Sequence, residues 1–278
     1  MAAQSEHHET VASGALAPFV TRVVGYRLSG FEPGVHVGMP SSTLTLVVPL
    51  DAPLTLSSGR SGRRRDVEAV VAGLAVAPEH IHHDGVQHGV QLALHPDAAP
   101  ALFGVPAAAL AHESFELGDV LDELVGAGAV STLRERMHET DCWTTRFALV
   151  LGLLTAARSR VGDRPAAGRV APEVQEAWRV VERSDGRVPV RDVARSVGWS
   201  VRHLQQRFGA AYGLGPKAAA RVRRFERSVP LVSAARLPLT RVALDCGWSD
   251  HAHMDRDWRD LAGTSPSRWR ADDALIGT

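Results

Sequence analysis

The chain has 278 residues, 45% hydrophobic and 22% charged, with 31 Lys+Arg against 31 Asp+Glu. This length fits one large domain or, better, two of unequal size. The composition is that of a globular protein, and no run of about 18 uncharged apolar residues marks a membrane span. Cys142 and Cys246 are the only cysteines. A four-cysteine zinc cluster is therefore excluded, and two thiols in helical-looking stretches point to a reducing, cytoplasmic setting with both buried as small hydrophobes.

The zero net charge hides an asymmetry. Residues 171–278 hold 18 Lys+Arg against 13 Asp+Glu, a net +5, and residues 1–170 carry the compensating −5. A basic C-terminal part fits a polyanionic partner.

In chain order, the first ten residues, MAAQSEHHET, lack both a basic start and an apolar core, so they read as a frayed polar tail and not as a signal peptide. From about 20 to 100 the pattern is strand-like. Phe19 to Leu28, Leu44 to Leu50, Val67 to Val76 and Val86 to Leu94 are short β-branched or alternating runs, separated by Gly, Pro and Ser clusters. Many short strands with turn signals predict an antiparallel barrel or sandwich. From about 105 to 161 the apolar spacing changes to three and four, which predicts two or three amphipathic helices. Residues 162–172, with two prolines, two glycines and no periodicity, read as a linker.

After the linker everything reads helical: Glu173 to Arg183, Val190 to Val197, Val201 to Phe208, Lys217 to about Ala235, Thr240 to Cys246, Asp250 to Ala262, and a short last helix from Pro266. Within this region one spelling occurs twice. Residues 193–200 and 242–249 both read Val-Ala-x-x-x-Gly-Trp-Ser, 49 residues apart. In each copy an alanine (Ala194, Ala243) permits close helix crossing. A glycine (Gly198, Gly247) stops the helix in a left-handed turn, and a tryptophan (Trp199, Trp248) plugs the space beneath. Ser200, and Ser249 or Asp250, are N-cap residues for the next helix. In the first copy that helix has an apolar stripe of Val201, Leu204 and Phe208 behind a front of Arg202, Gln205 and Gln206. Arginine pairs with guanine and glutamine with adenine in the major groove. In the second copy Met254, Trp258 and Leu261 form the stripe, and His251, Ala252, Asp255 and Arg256 face out. This is the helix-turn-helix pattern.

Residues 173–272 resemble the DNA-binding domain of the AraC/XylS family of bacterial transcription regulators. The second-half signature of that family is matched by Ala243, Gly247-Trp248, Arg256, Trp258, Gly263, Pro266 and Trp269-Arg270. Its first half is matched by Ala194, Gly198, Ser200, Leu204, Phe208, Gly213, Pro216 and Arg224. The resemblance implies an α+β protein of two domains. Residues 1–161 would be a cupin-like antiparallel β-barrel with trailing helices, for effector sensing and dimerisation. The C-terminal all-α domain would hold two helix-turn-helix units joined by one linking helix. It further implies double-stranded operator or promoter DNA, a small-molecule effector and RNA polymerase as partners, a homodimer, no cofactor and no membrane. The expected phosphate-contacting residues are Ser200, Lys217, Arg221, Arg268 and Arg270.

Three departures stand out. Pro230 lies inside the linking helix, where it removes a hydrogen bond. Four aspartates (250, 255, 257, 260) crowd the second recognition segment, which assigns base reading mainly to the first unit and positioning to the second. Tryptophan replaces Phe or Tyr at 199, 248, 258 and 269. Two other readings stay open: a protein–protein adaptor whose units no longer touch DNA, and a metal-binding cupin enzyme fused to a DNA-binding domain. The histidines at 80, 82, 83, 88 and 95 raise the second. However, no glutamate appears between them and Glu113, and DGVQHG reads as a hairpin turn, so no metal site is expected. A reactive-cysteine repair enzyme lacks its zinc cluster, and no hydrolase, P-loop or dinucleotide motif is present, so no catalytic residue is expected. The helices over about 116–160, with Leu121, Leu124, Leu133, Phe147, Leu151 and Leu154, serve equally well for dimerisation or for packing within the fold.

Overall fold

The computed structural model describes residues 3–58, 62–163 and 170–276. The chain divides into two compact units. The first comprises Met1–Gly38, Thr43–Leu74 and Glu79–Arg169, and the second Met39–Ser42, Ala75–Pro78 and Val170–Thr278. The segment expected as a linker, 162–172, falls largely outside the described residues.

The first unit holds ten strands: β1 (Gln4–Thr10), β2 (Val20–Ser29), β3 (Gly34–Gly38), β4 (Leu44–Pro49), β5 (Leu54–Ser58), β6 (Arg64–Val67), β7 (Val70–Ala72), β8 (Glu79–His83), β9 (Gln87–Leu94) and β10 (Ser114–Glu116). They form two antiparallel sheets, ordered β1-β2-β9-β4-β7-β10 and β3-β8-β5-β6. Alternation fixes the faces. Val23 and Leu46 both pair with Leu92, Val48 with Val90 and Leu44 with Leu94, and these side chains are all buried.

Four expectations are corrected here. The N-terminal segment is not a frayed tail, because β1 pairs along its whole length with β2, from Gln4↔Ser29 to Thr10↔Val23. Its side chains are almost all exposed, so it carries no burial pattern; the backbone ladder alone makes it a strand. Two of the Gly/Pro/Ser clusters taken as separators contain β3 and β5, which sit in the smaller sheet with β8. The run Val67 to Val76 is not one strand: it takes in the last residue of β6 and the whole of β7, which lie in different sheets. The chain turns the corner at Glu68 and Ala69, whose N–H groups both donate to the Glu116 carboxylate, at 3.0 and 2.9 Å. Finally, β8 and β9 do not form a hairpin: Asp84–Val86 carries the chain from one sheet to the other. The histidine-rich segment is thus a strand flanked by β3 and β5. His82 bonds Ser57 Oγ at 2.8 Å, and the His83 ring accepts from the Gly85 N–H at 3.2 Å.

Helices follow the sheets: α1 (Ala107–Leu110), α2 (Leu117–Val125), α3 (Ala129–His138) and α4 (Trp143–Gly162). Leu121, Leu124, Leu133, Phe147 and Leu154 are buried within this unit, while Leu151 is half-buried. Where α4 begins, a polar chain built on the buried His88 and Arg146 links three elements. Asp51 accepts from His88 Nδ1 at 3.1 Å, His88 Nε2 accepts from Arg146 at 3.1 Å, and Arg146 Nε donates to the Met137 carbonyl.

The second unit is helical: α5 (Pro172–Arg183), α6 (Val190–Ser196), α7 (Val201–Tyr212), α8 (Pro216–Ser233), α9 (Leu239–Cys246), α10 (His251–Ala262) and α11 (Pro266–Ile276). The linking helix α8 has 18 residues, about 27 Å at 1.5 Å per residue. Pro230 lies in its last turn and is exposed, so the missing N–H falls close to the end of the helix.

Candidate DNA interface

The two copies of the repeated spelling fold alike. The Trp199 N–H donates to the Ala194 carbonyl and the Trp248 N–H to the Ala243 carbonyl, each at 2.9 Å. The glycine N–H groups bond the residue after each alanine, Gly198 to Arg195 and Gly247 to Leu244, each at 3.1 Å. Both glycines have left-handed backbones, φ +71° and +93°. Together these bonds form a Schellman motif, which satisfies the carbonyls at a helix C-terminus and reverses the chain. An alanine at 194 or 243 keeps the helix ends close, and both are fully buried.

The repeat then slips by one residue. Trp199 is followed directly by the N-cap Ser200, whose side chain accepts from the His203 N–H. Trp248 is followed by Ser249 and then by the N-cap Asp250, which accepts from the His253 N–H at 2.7 Å. Ser249 is therefore the extra residue, and Asp250 is the cap. The His253 N–H first, and the Ser249 hydroxyl second, hold the Asp250 carboxyl below the ordinary carboxylate range. From the cap onward the spacing is 50: Val201 and His251 open α7 and α10, Gly213 and Gly263 close them at φ +73°, and Pro216 and Pro266 open the next helices. The insertion lets Trp248 sink to 2% exposure. Trp199 is only half-buried and packs edge-on against the His203 ring at 4.5 Å, so it is not the plug expected.

In the first unit, Trp178 of α5 lies against Phe208 and Tyr212 of α7 at 5.5 and 4.5 Å between ring centroids. This apolar back runs through Leu204, Phe208 and Tyr212. Val201, expected on the same stripe, is instead exposed. The opposite face carries Arg202, Gln205, Gln206 and Arg207, all exposed and with no side-chain partner among the described residues. The unit is held to α8 by the turn at Ser184–Arg187. A Cβ on Gly186 would lie 2.0 Å from the Ala220 carbonyl oxygen, so the turn lies directly on the helix backbone. Asp185 takes Arg223 at 3.0 Å and also Arg227, and Arg224 donates to the Gly186 carbonyl at 2.8 Å.

The second unit uses its charges differently. Asp257 is buried, accepting from the Trp248 indole at 2.7 Å and from Arg221 Nε at 2.5 Å. Arg221 also bonds Asp260, and Asp255 pairs with Arg259 along α10. Burial works against the Arg221 charge, but the hydrogen bonds it donates to Asp260 and Asp257 outweigh that and favour the charged guanidinium. The four aspartates therefore do not form an open acidic face: one caps a helix and three are paired with arginines. Sequence periodicity could not reveal this, because Arg221 and Asp257 are 36 residues apart.

The expected phosphate contacts separate on the same grounds. Arg221 is held by the aspartates. Arg270 donates to the Val232 and Leu237 carbonyls at 3.0 and 3.1 Å, which satisfies the C-terminal end of α8. Lys217 is exposed in the first turn of α8, and Arg268 is exposed on α11. Among the outward residues of α10, Arg256 is exposed, while Asp255 and His251 are half-buried and His251 Nε2 has no partner.

Residues 193–272 match a family model described as a helix-turn-helix domain. Residues 193–272 thus carry an AraC-type helix-turn-helix domain. Among solved structures, ToxT from Vibrio cholerae is similar at 10% identity and TM-score 0.50, with 98% of each chain covered. ToxT from V. cholerae strain SCE256, bound to an unsaturated fatty acid, is similar at 12% identity and TM-score 0.51, over 91% of this chain and 95% of that one. At these identities the likeness is one of fold: N-terminal antiparallel sheets followed by a C-terminal helical domain. A probable AraC family transcriptional regulator from Rhodopseudomonas palustris covers 37% of this chain and 98% of its own, at 27% identity and TM-score 0.34. No curated protein matches the chain. Among the described residues, no helix is long and apolar enough to cross a membrane, and no three His, Cys, Asp or Glu side chains gather as metal ligands.

Proposed function

We propose that the protein is a cytoplasmic, sequence-specific regulator whose first unit reads the operator and whose second unit positions it. The observation that supports this is the contrast between the two recognition helices. Arg202, Gln205 and Gln206 of α7 are exposed and unpaired, whereas the acids of α10 are taken up by Arg221 of α8 and Arg259 of α10. Unpaired arginine and glutamine side chains are free to bond guanine and adenine edges without first breaking an internal contact. Ser200, Lys217 and Arg268 are the phosphate contacts in this reading, and His251, Asp255 and Arg256 lie over the backbone or the flanking bases.

The N-terminal unit is assigned effector sensing and dimerisation. ToxT, whose fold is similar over 91% of this chain, has one form bound to an unsaturated fatty acid. RNA polymerase is the further partner. The test is binding of the full chain to duplexes from its own upstream region across a salt series. Each phosphate contact contributes about 0.9 to the slope of log affinity against log salt. A steep slope with a clear preference over scrambled duplex is expected. Binding with no such preference excludes operator reading, and no DNA binding at all favours an adaptor.

A further inference from the structure

We propose that Val201 is a direct reader of sequence, contacting the 5-methyl group of a thymine in the major groove. This rests on the reading of α7 as the base-contacting helix and adds to it a residue that periodicity placed in the core. Val201 is 38% exposed, and among the described residues it is the only large hydrophobic side chain exposed on either recognition helix. It is the first residue of α7, directly after the Ser200 cap. Side chains in a helix lean toward its N-terminus, and the N-terminal residues of a recognition helix are those that reach base edges.

Val201 also lies one turn before Gln205, on the same ridge, beside the ridge formed by Arg202 and Gln206. Val201 therefore stands at the exposed N-terminal end of the stripe that Leu204 and Phe208 continue, at its edge beside Gln205. The thymine methyl is the one apolar feature of the major-groove edge, and small apolar side chains contact it. A β-branched side chain is stiff at χ1, so little freedom is lost in making the contact. Valine also favours helix less than alanine or glutamate does, so helix propensity does not account for it at this position. Its counterpart in the second unit, His251, is polar and half-buried, so α10 offers no equivalent group.

The experiment selects a preferred duplex for the full chain from a random pool. Each thymine in that duplex is then replaced singly by deoxyuridine, which removes only the methyl group. Burial of one methyl corresponds to about a fourfold change in affinity. The unaltered chain is expected to lose about that factor at one thymine, adjacent to the base pair whose identity Gln205→Ala no longer distinguishes. Val201→Ala is expected to bind the thymine and deoxyuridine duplexes alike at that position. A wild-type chain indifferent to every replacement overturns the inference, as does a Val201→Ala chain that keeps the penalty. The deoxyuridine measurement on the unaltered chain needs no variant to fold. A pool that yields no preferred sequence overturns the reading of α7 itself, and Val201 with it. A preferred sequence without methyl sensitivity overturns only the role of Val201.

Discussion

Position 207 in the first unit is an exposed arginine. Fifty residues on, its counterpart Asp257 is buried, with its carboxylate between the Arg221 guanidinium and the Trp248 indole. The two units share the Schellman turn, the N-cap, the length of the recognition helix and the closing glycine. They differ in where their polar groups are directed: outward from α7, and back into the fold from α10. A common frame can therefore hold one helix available for contact and the other braced against α8. The braced helix keeps its scaffold role with little free charge to offer DNA.

The sharpest way to break this comparison is to strip each front. Each bidentate base contact is worth about 1–3 kcal/mol of discrimination. Arg202→Ala with Gln206→Ala should therefore relax sequence preference by about 2–6 kcal/mol in competition binding. His251→Ala with Arg256→Ala should affect mainly overall affinity. The reverse ranking would assign reading to the second unit.

Next in size is the brace. Asp257→Ala leaves the Trp248 N–H and Arg221 without their shared acceptor, and should cost about 3 kcal/mol in urea unfolding of the second unit followed by tryptophan fluorescence. Arg207→Ala, at the matching position, should stay within about 0.5 kcal/mol. Equal losses would show that the two helices are held alike. The same contrast applies to phosphate: Lys217→Ala should lower the salt slope of binding by about 0.9, whereas Arg221→Ala should lower stability and leave the slope unchanged.

The turns give a smaller and finer test. Both glycines are left-handed, so alanine costs about 1–2 kcal/mol at either. A Cβ at 198 meets nothing within 4 Å, but at 247 it would lie 2.6 Å from Arg187 Cγ. Gly247→Ala should therefore be the more destabilising in thermal unfolding.

The smallest effect belongs to the N-terminal unit of sheets and helices, where polar groups are also turned inward. Burial pushes the His88 imidazole below the ordinary histidine range, against the opposing pull of Asp51. Its Nε2 accepts from Arg146, so protonation would set two cations face to face. The unfolded chain then binds more protons than the folded one, and this contribution to stability is present above pH about 6.5 and lost as the pH falls below it. Urea midpoints of the N-terminal unit should decline from about pH 6.5 to 5, and His88→Gln should flatten that decline.

The helices of the second unit, their caps and their turns were legible in the sequence because they arise from interactions within a few residues. The spacing of Leu204 and Phe208 and the left-handed glycines are local signals of this kind, as are the capping residues, although Ser249 and Asp250 could not be told apart. The central strands of the first unit were legible through alternation. The edge strand β1 was not, because strand pairing without side-chain burial leaves no pattern. Nor were β3, β5 and β8, whose residues become strands only when one another's backbones are present. The same division runs through the candidate interface. The repeated spelling by itself determined that two recognition helices exist and which residue types stand near their fronts. Only the tertiary structure decided that Arg221 and Arg270 face inward, that Asp257 is a buried acceptor and that Val201 faces solvent. These outcomes depend on partners 33 or more residues away, or on how deeply a helix end is packed. Such electrostatic and packing energies appear only once distant segments are brought within a few ångströms of each other.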